Sequence, residues 1–127
     1  LLAVIFIADL IAALPARADD RKTRVVTFLS SGIKTAATAQ STGFDVSAYA
    51  EGQIFIDVTA EASTSTLDVT IETSPDNVTW YTHTTVGQIT ATGKTRQAIT
   101  NFGNWVRINY TVGGTSFTFS VVGVFKN

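Results

Sequence analysis

The 127-residue chain has no cysteine and no methionine, one histidine and two prolines, and only 15% of its residues are charged. The absence of cysteine excludes disulfides, thiolate metal sites and a cysteine nucleophile in any redox compartment. With His83 as the sole histidine, a catalytic triad or a zinc site would have to be built around that one ring, and nothing in "WYTHTT" marks a partner for it. The net charge is −1, and from residue 21 onward 8 basic side chains face 7 acidic ones. A balance of that kind leaves no basic footprint for nucleic acid. There is no GxxxxGK[ST] phosphate loop. The missing initiator methionine suggests that Leu1 is a processed end or the start of a fragment.

Hydroxyl groups take the place of charge. The chain carries 21 Thr and 9 Ser, and β-branched threonine suits the solvent side of a strand. From Arg24 onward the apolar residues recur with period two, the signature of half-buried strands. Strands are expected at 24–29, 53–59, 67–73, 78–84, 95–100, 104–112 and 115–124, with an eighth around 43–49. Leu67, Val69 and Ile71 should point inward, as should Val106, Ile108, Tyr110, Val112, Phe117, Phe119 and Val121. "SPDN" (74–77) places proline where a type I or II turn wants it. "VGGT" (112–115), between two alternating segments, predicts a two-residue hairpin. No helix signal occurs after residue 20. The expected fold is all-β, an antiparallel Ig-like or jelly-roll β-sandwich of seven to eight strands.

Residues 1–14 are apolar except for Asp9 and are followed by Pro15 and the mixed-charge "ARADDRKTR". As a helix, 14 residues reach about 21 Å, short of the roughly 30 Å hydrocarbon core of a bilayer. "ARA" (16–18) has the small-x-small form of a signal-peptidase site. If retained, an apolar stretch of this length needs burial. The chain therefore divides into an apolar assembly arm (1–18), a linker (19–23) and a sandwich (24–127). The arm is either a helix or a donated strand, and its burying residues are Leu1, Leu2, Val4, Ile5, Phe6, Ile7, Leu10, Ile11 and Leu14.

Two resemblances follow from particular motifs. Residues 66–121, through "SPDNVTW", "NFGNWVR" and "YTVGGTSFTFSV", resemble small β-sandwich proteins found among the virion and tail accessory proteins of tailed phages. This resemblance implies a fold and no chemistry. The opening segment resembles the apolar N-terminus of processed archaeal type IV-like pilins, which join an apolar helix to a Thr-rich sandwich. Asp9 and Pro15 depart from the pilin pattern.

No constellation of residues points to catalysis. Asp57, Asp68 and Glu72 fall on outward strand positions, where solvated carboxylates are expected in preference to a Ca²⁺ site. Trp80, Tyr81, Trp105 and Arg107 suggest either packing, with one or two rings in the core, or an aromatic platform for sugar. Asn77 in "NVT" and Asn109 in "NYT" stand in the N-glycosylation pattern, which would place a glycan on the surface. No cofactor is implied. The sequence favours a non-enzymatic subunit that polymerises with identical subunits into an extracellular, cell-surface filament, after transient membrane contact of the arm. The alternatives are a phage virion decoration or tail protein, and a secreted carbohydrate-binding module with an uncleaved signal peptide.

Overall fold

A computed structural model describes residues 21–127. The expected arm at 1–18 and the linker residues 19–20 lie outside the described residues. Among the described residues there are seven strands and no helix: β1 (Thr23–Gln40), β2 (Phe44–Asp45), β3 (Glu51–Glu61), β4 (Thr66–Ser74), β5 (Tyr81–Thr85), β6 (Gly93–Thr100) and β7 (Trp105–Lys126). Every pairing is antiparallel. The expected all-β sandwich is the observed fold.

The strands form one sheet that curls on itself around its two longest members. The first half of β7 pairs with β4 from Trp105–Ser74 to Gly113–Thr66. Its second half pairs with β3 from Phe117–Glu61 to Lys126–Glu51. On the opposite side, β1 follows β7 along almost its whole length, and β2 completes that edge. Two layers result. Layer A contains β5, β4, the first half of β7, and β1 with β2; layer B contains β6, β3, the second half of β7, and the start of β1.

This arrangement corrects the hairpin expected at 112–115. The segments 104–112 and 115–124 are parts of one 22-residue strand, and they pair with different neighbours instead of with each other. The inward positions switch parity across Gly113–Gly114, from Val106, Ile108 and Val112 to Phe117, Phe119, Val121 and Phe125. A bulge in a continuous strand produces the same parity switch as a hairpin. Gly114 has φ +85, and a Cβ there would meet the Ser65 backbone at 2.9 Å. The crease is held by buried Ser65, whose Oγ accepts from the N–H groups of Thr115 (3.0 Å) and Ser116 (3.2 Å). β1 bends alongside, with register shifts between Thr27 and Leu29, Leu29 and Gly32, and Thr35 and Ala37. The strand expected at 78–84 begins only at Tyr81.

A single apolar cluster fills the space between the layers. All the expected inward residues belong to it, except that Tyr110 is only partly buried and packs against its margin. At one end of the core an aromatic group converges on Phe125, with Phe28 at 6.2 Å, Phe102 at 5.7 Å and Tyr49 at 6.4 Å between ring centroids. Gly52 and Gly123 make room for it, since a Cβ on either would come within 2.8 Å of the Phe125 ring. Such offset and edge-on contacts add to the stabilisation that ring burial already supplies.

Candidate functional site

The described residues present two outer faces that differ in their apolar content. On layer A the strict alternation of "LDVTIET" and "WVRINYTV" leaves polar side chains outside. Glu72 accepts from Arg107 Nε at 2.7 Å and from Asn109 Nδ2 at 3.5 Å. The Arg107 guanidinium lies 4.4 Å from the centre of the Trp80 ring, a cation–π contact that adds to the ion pair. Beyond them Thr38 and Thr111 share a hydrogen bond of 2.9 Å.

Trp80 is placed by the turn before it. Buried Ser74 accepts from the N–H groups of Asp76 (3.1 Å) and Asn77 (2.9 Å) and donates to Asp76 Oδ1 (3.0 Å). Asp76 in turn accepts from the N–H groups of Val78 (3.0 Å) and Thr79 (2.8 Å). These backbone donors hold its carboxyl below the ordinary value of 3.8. The turn lays the Trp80 ring over Gly43, where a Cβ would run into Asn77 Oδ1 and, at 2.9 Å, into the ring itself.

None of the three rings proposed for the core or for a sugar platform enters the core. Trp80 and Trp105 are half-buried, and Tyr81 is 59% exposed at the edge strand β5. One face of Trp80 is already taken by Arg107. The three outward carboxylates also separate. Asp57 pairs with Lys94 at 3.2 Å, Asp68 takes Gln88 Nε2 at 3.1 Å, and Glu72 takes Arg107. Among the described residues no group of three metal-ligating side chains comes together. Asn77 is exposed with φ 62, whereas Asn109 is half-buried in mid-strand. His83 lies on β5, with Nε2 2.6 Å from the Thr100 carbonyl oxygen and Nδ1 2.7 Å from Thr84 Oγ1.

Layer B is different. Val25 stands opposite Val124, Phe55 between Val122 and the exposed Arg96, and Gln53 between Val124 and Ala98. All of these alternate with core residues, so they share the outer face. Val25 is 65% and Phe55 39% exposed. A shallow cavity of about 220 Å³ opens among Gln53, Phe55, Ala98, Thr100 and Val124. The sequence carries a signal for this face in its unbroken apolar runs, "VV" (25–26), "IFI" (54–56) and "VVGVF" (121–125), which fall on three neighbouring strands. Strands covered on both sides read as continuous apolar runs in this way.

The outer strand β1 carries its own brake on edge pairing. Lys34 Nζ turns back to donate to the carbonyls of Ser30 (3.1 Å), Gly32 (3.1 Å) and Phe119 (2.9 Å), and it sits 4.4 Å from the Phe119 ring centre. Burial pushes its pKa below 10.5. An inward-turned charge and bulges both discourage a further strand from adding to an edge.

No protein-family model matches the chain, and no curated protein sequence does. The likeness is to solved structures. The exported protein XepA of PBSX superposes with a TM-score of 0.64 at 16% identity, over 80% of this chain and 36% of XepA. The SPBc2 prophage-derived protein YomS superposes with a TM-score of 0.61 at 12% identity, over 89% of this chain and 100% of YomS. The VP2 subviral particle of infectious bursal disease virus gives 0.58 at 11% identity, over 88% of this chain and 34% of VP2. At these identities the likeness establishes the fold. This chain spans about a third of XepA and of VP2, and all of YomS.

Proposed function

We propose that this chain is a non-enzymatic structural subunit of a phage or virus particle, set as identical copies on a larger capsid or tail lattice. The supporting observation is the fold itself, a curled seven-stranded sandwich shared with the PBSX exported protein XepA and with the prophage-derived protein YomS, the latter over its whole length. The surface agrees with such a role. Layer A presents hydroxyls, amides and internally paired charges, while layer B presents a small apolar patch of Val25, Phe55, Val122 and Val124 bordered by Arg96 and the Asp57–Lys94 pair. Side chains whose charges are already neutralised within the subunit favour close, repeated contacts over long-range steering.

The filament reading rests on residues 1–14, which lie outside the described residues, and none of the fold neighbours named above is a pilin. The sugar-binding module is also weakened, since Trp80, Tyr81 and Trp105 do not form an open platform.

The test is immunogold labelling of particles from the native source with an antibody raised against residues 24–127, together with mass spectrometry of the purified particles. Label at fixed places on capsids or tails is the expected result. Label confined to unassembled protein would overturn the proposal, and decorated filaments would restore the pilus.

A further inference from the structure

We propose that β6 is the contact by which two copies of this chain join, strand to strand and antiparallel, across a two-fold axis at Gln97. The sheet has three outer edges, and two of them are obstructed. β1 breaks register three times along β7 and turns Lys34 back onto its own carbonyls. β5 is only five residues long and carries a register shift opposite Ile71 and Glu72. β6 (Gly93–Thr100) pairs with β3 residue for residue along its whole length, with no shift and no proline. A regular edge of eight residues with unpaired N–H and C=O groups is a template for another strand.

The direction of those groups follows from their neighbours. Asn127 N–H donates to the Lys22 carbonyl at 3.3 Å, so at this end of β7 the odd-numbered residues face β1 and the even-numbered ones face β3. Alternation carries this through β3 to β6, where Lys94, Arg96, Ala98 and Thr100 turn their backbone groups outward. Side chains already reach two of these carbonyls: Gln97 Nε2 donates to Ala98 (3.0 Å) and His83 Nε2 to Thr100 (2.6 Å). Each oxygen keeps a second lone pair for an incoming N–H. A two-fold pairing must set these four residues against one another. Centred on Thr95 it opposes Lys94 to Arg96, and centred on Arg96 it opposes two guanidinium groups; like charges directly opposite are destabilising. Centred on Ala98 it leaves Lys94 unpaired. Centred on Gln97 it opposes Lys94 to Thr100 and Arg96 to Ala98, so that no like charges meet and all four residues are used.

Charge and shape select the same register. Among the described residues the ion pairs are Asp57–Lys94 and Glu72–Arg107, which leaves exposed Arg96 and exposed Glu51 each without one. In this register the Arg96 side chain lies beside Ala98 of the second copy, whose methyl group leaves open the 220 Å³ cavity that Glu51, Gln53 and Thr100 also line. Glu51 of the second copy stands two strands from Arg96, about 10 Å between strand axes, within the joint reach of the two side chains. Each copy thus supplies a pocket with an acid at its rim and a cation for the pocket of the other, twice over by symmetry. At the axis the two Gln97 amides face each other and can exchange hydrogen bonds. The contact belongs to the purified subunit and stands apart from where that subunit sits on a particle.

The chain has no cysteine, so Gln97→Cys places one thiol at the axis. Facing residues of a non-hydrogen-bonded antiparallel pair have Cα atoms about 4.5 Å apart, within disulfide range. Thr95→Cys is the control, because the two copies of residue 95 fall four positions out of register, about 13 Å apart along the strands. Under mild oxidation the full-length Gln97→Cys chain should form a covalent dimer about tenfold faster, or more, than the Thr95→Cys chain. Arg96→Pro removes an outward N–H that β3 does not use, so it spares the pairing within the subunit. Arg96→Glu sets a carboxylate against Glu51 of the second copy. Each, added to Gln97→Cys, should slow the cross-link about tenfold. Equal rates at positions 95 and 97 would overturn the proposal, as would faster linking at 95 or a rate at 97 that Arg96→Glu does not lower. Amide hydrogen exchange of the unaltered protein gives an independent answer. The outward N–H groups of Arg96 and Ala98 should be protected about tenfold or more. Free-chain exchange of both at every protein concentration would overturn the assignment.

Discussion

His83 on β5 reaches the carbonyl oxygen of Thr100 at the end of β6, with Nε2 2.6 Å away. A carbonyl can only accept, so Nε2 carries the hydrogen. β5 and β6 end layers A and B on the side away from β1, and the contact therefore joins the two layers where no strand is shared. The Phe102 ring, 6.5 Å from the imidazole, covers it from the following turn. The histidine that a search for chemistry singles out thus acts as a clasp.

His83→Ala should cost about 1 kcal/mol, the net worth of an ordinary intramolecular hydrogen bond. The melting temperature should fall by about 4–8 °C for a domain of this size. Calorimetry decides it, and an unchanged melting temperature would show that the clasp carries no load.

Arg107→Lys should be more damaging than its conservative label suggests. The ammonium can keep a charge near Glu72 but forfeits the flat contact with Trp80. Removing the partner, as in Arg107→Ala, takes the charged donor from a Glu72 side chain that is 13% exposed in the native protein and should cost about 1.5–3 kcal/mol. Urea titration should show a lower midpoint with an unchanged slope. A changed slope would mean that the denatured or native state had altered in compactness.

Gly123→Ala should destabilise by about 1–3 kcal/mol through overpacking, because the new methyl would lie 2.7 Å from the Phe28 ring and 2.8 Å from that of Phe125. Trimming the obstacle with Phe125→Leu should return part of that loss in the double variant. A double-mutant cycle measures the coupling. Strict additivity would mean that the crowding is relieved elsewhere.

Asp45 and Asp76 both titrate below 3.8 in the folded state. Asp45 is held down by the backbone N–H and then the hydroxyl of Ser47, and Asp76 by the N–H groups of Thr79 and Val78. A depressed carboxyl contributes stability that is fully present above its unfolded pKa and is lost as pH falls through the folded value. Stability should therefore decline on acidification below about pH 4, and Asp76→Asn should flatten that limb. Melting temperatures between neutral pH and pH 2 test this. An acid limb of equal steepness in the variant would assign the loss to other groups.

Much of the architecture was legible because alternation is a local signal. Leu67, Val69 and Ile71 lie on the inside because nothing competes with the period of two in "LDVTIET". The hairpin expected at "VGGT" is a continuous strand for an equally physical reason. Gly-Gly between segments of opposite parity fits a turn and a bulge alike, and only the identity of the pairing partners, β4 before and β3 after, separates them. The length of β1 was hidden in the same way. "SSGIKTAATA" has neither apolar periodicity nor strand-like bulk, and it is extended because β7 pairs with it. Trp80 was expected to choose between core and solvent, whereas the turn built on Ser74 and Asp76 lays it along the surface. The apolar patch on layer B stood in the sequence as consecutive apolar residues, but which runs would become neighbours is a property of topology.

The shared strand β7 also sets an order of events during synthesis. The ribosome makes β1, β3 and β4 before the strand that lies between them, and Thr23 must wait for Lys126. Until residues 105–126 emerge, only the local pairs β4–β5 and β3–β6 can form, and β1 is left with a long unpaired edge. Nascent chains stalled before residue 105 should thus be open to proteases and to one another. The finished subunit should close in one late step, slow in the manner of β folds whose pairings span the chain.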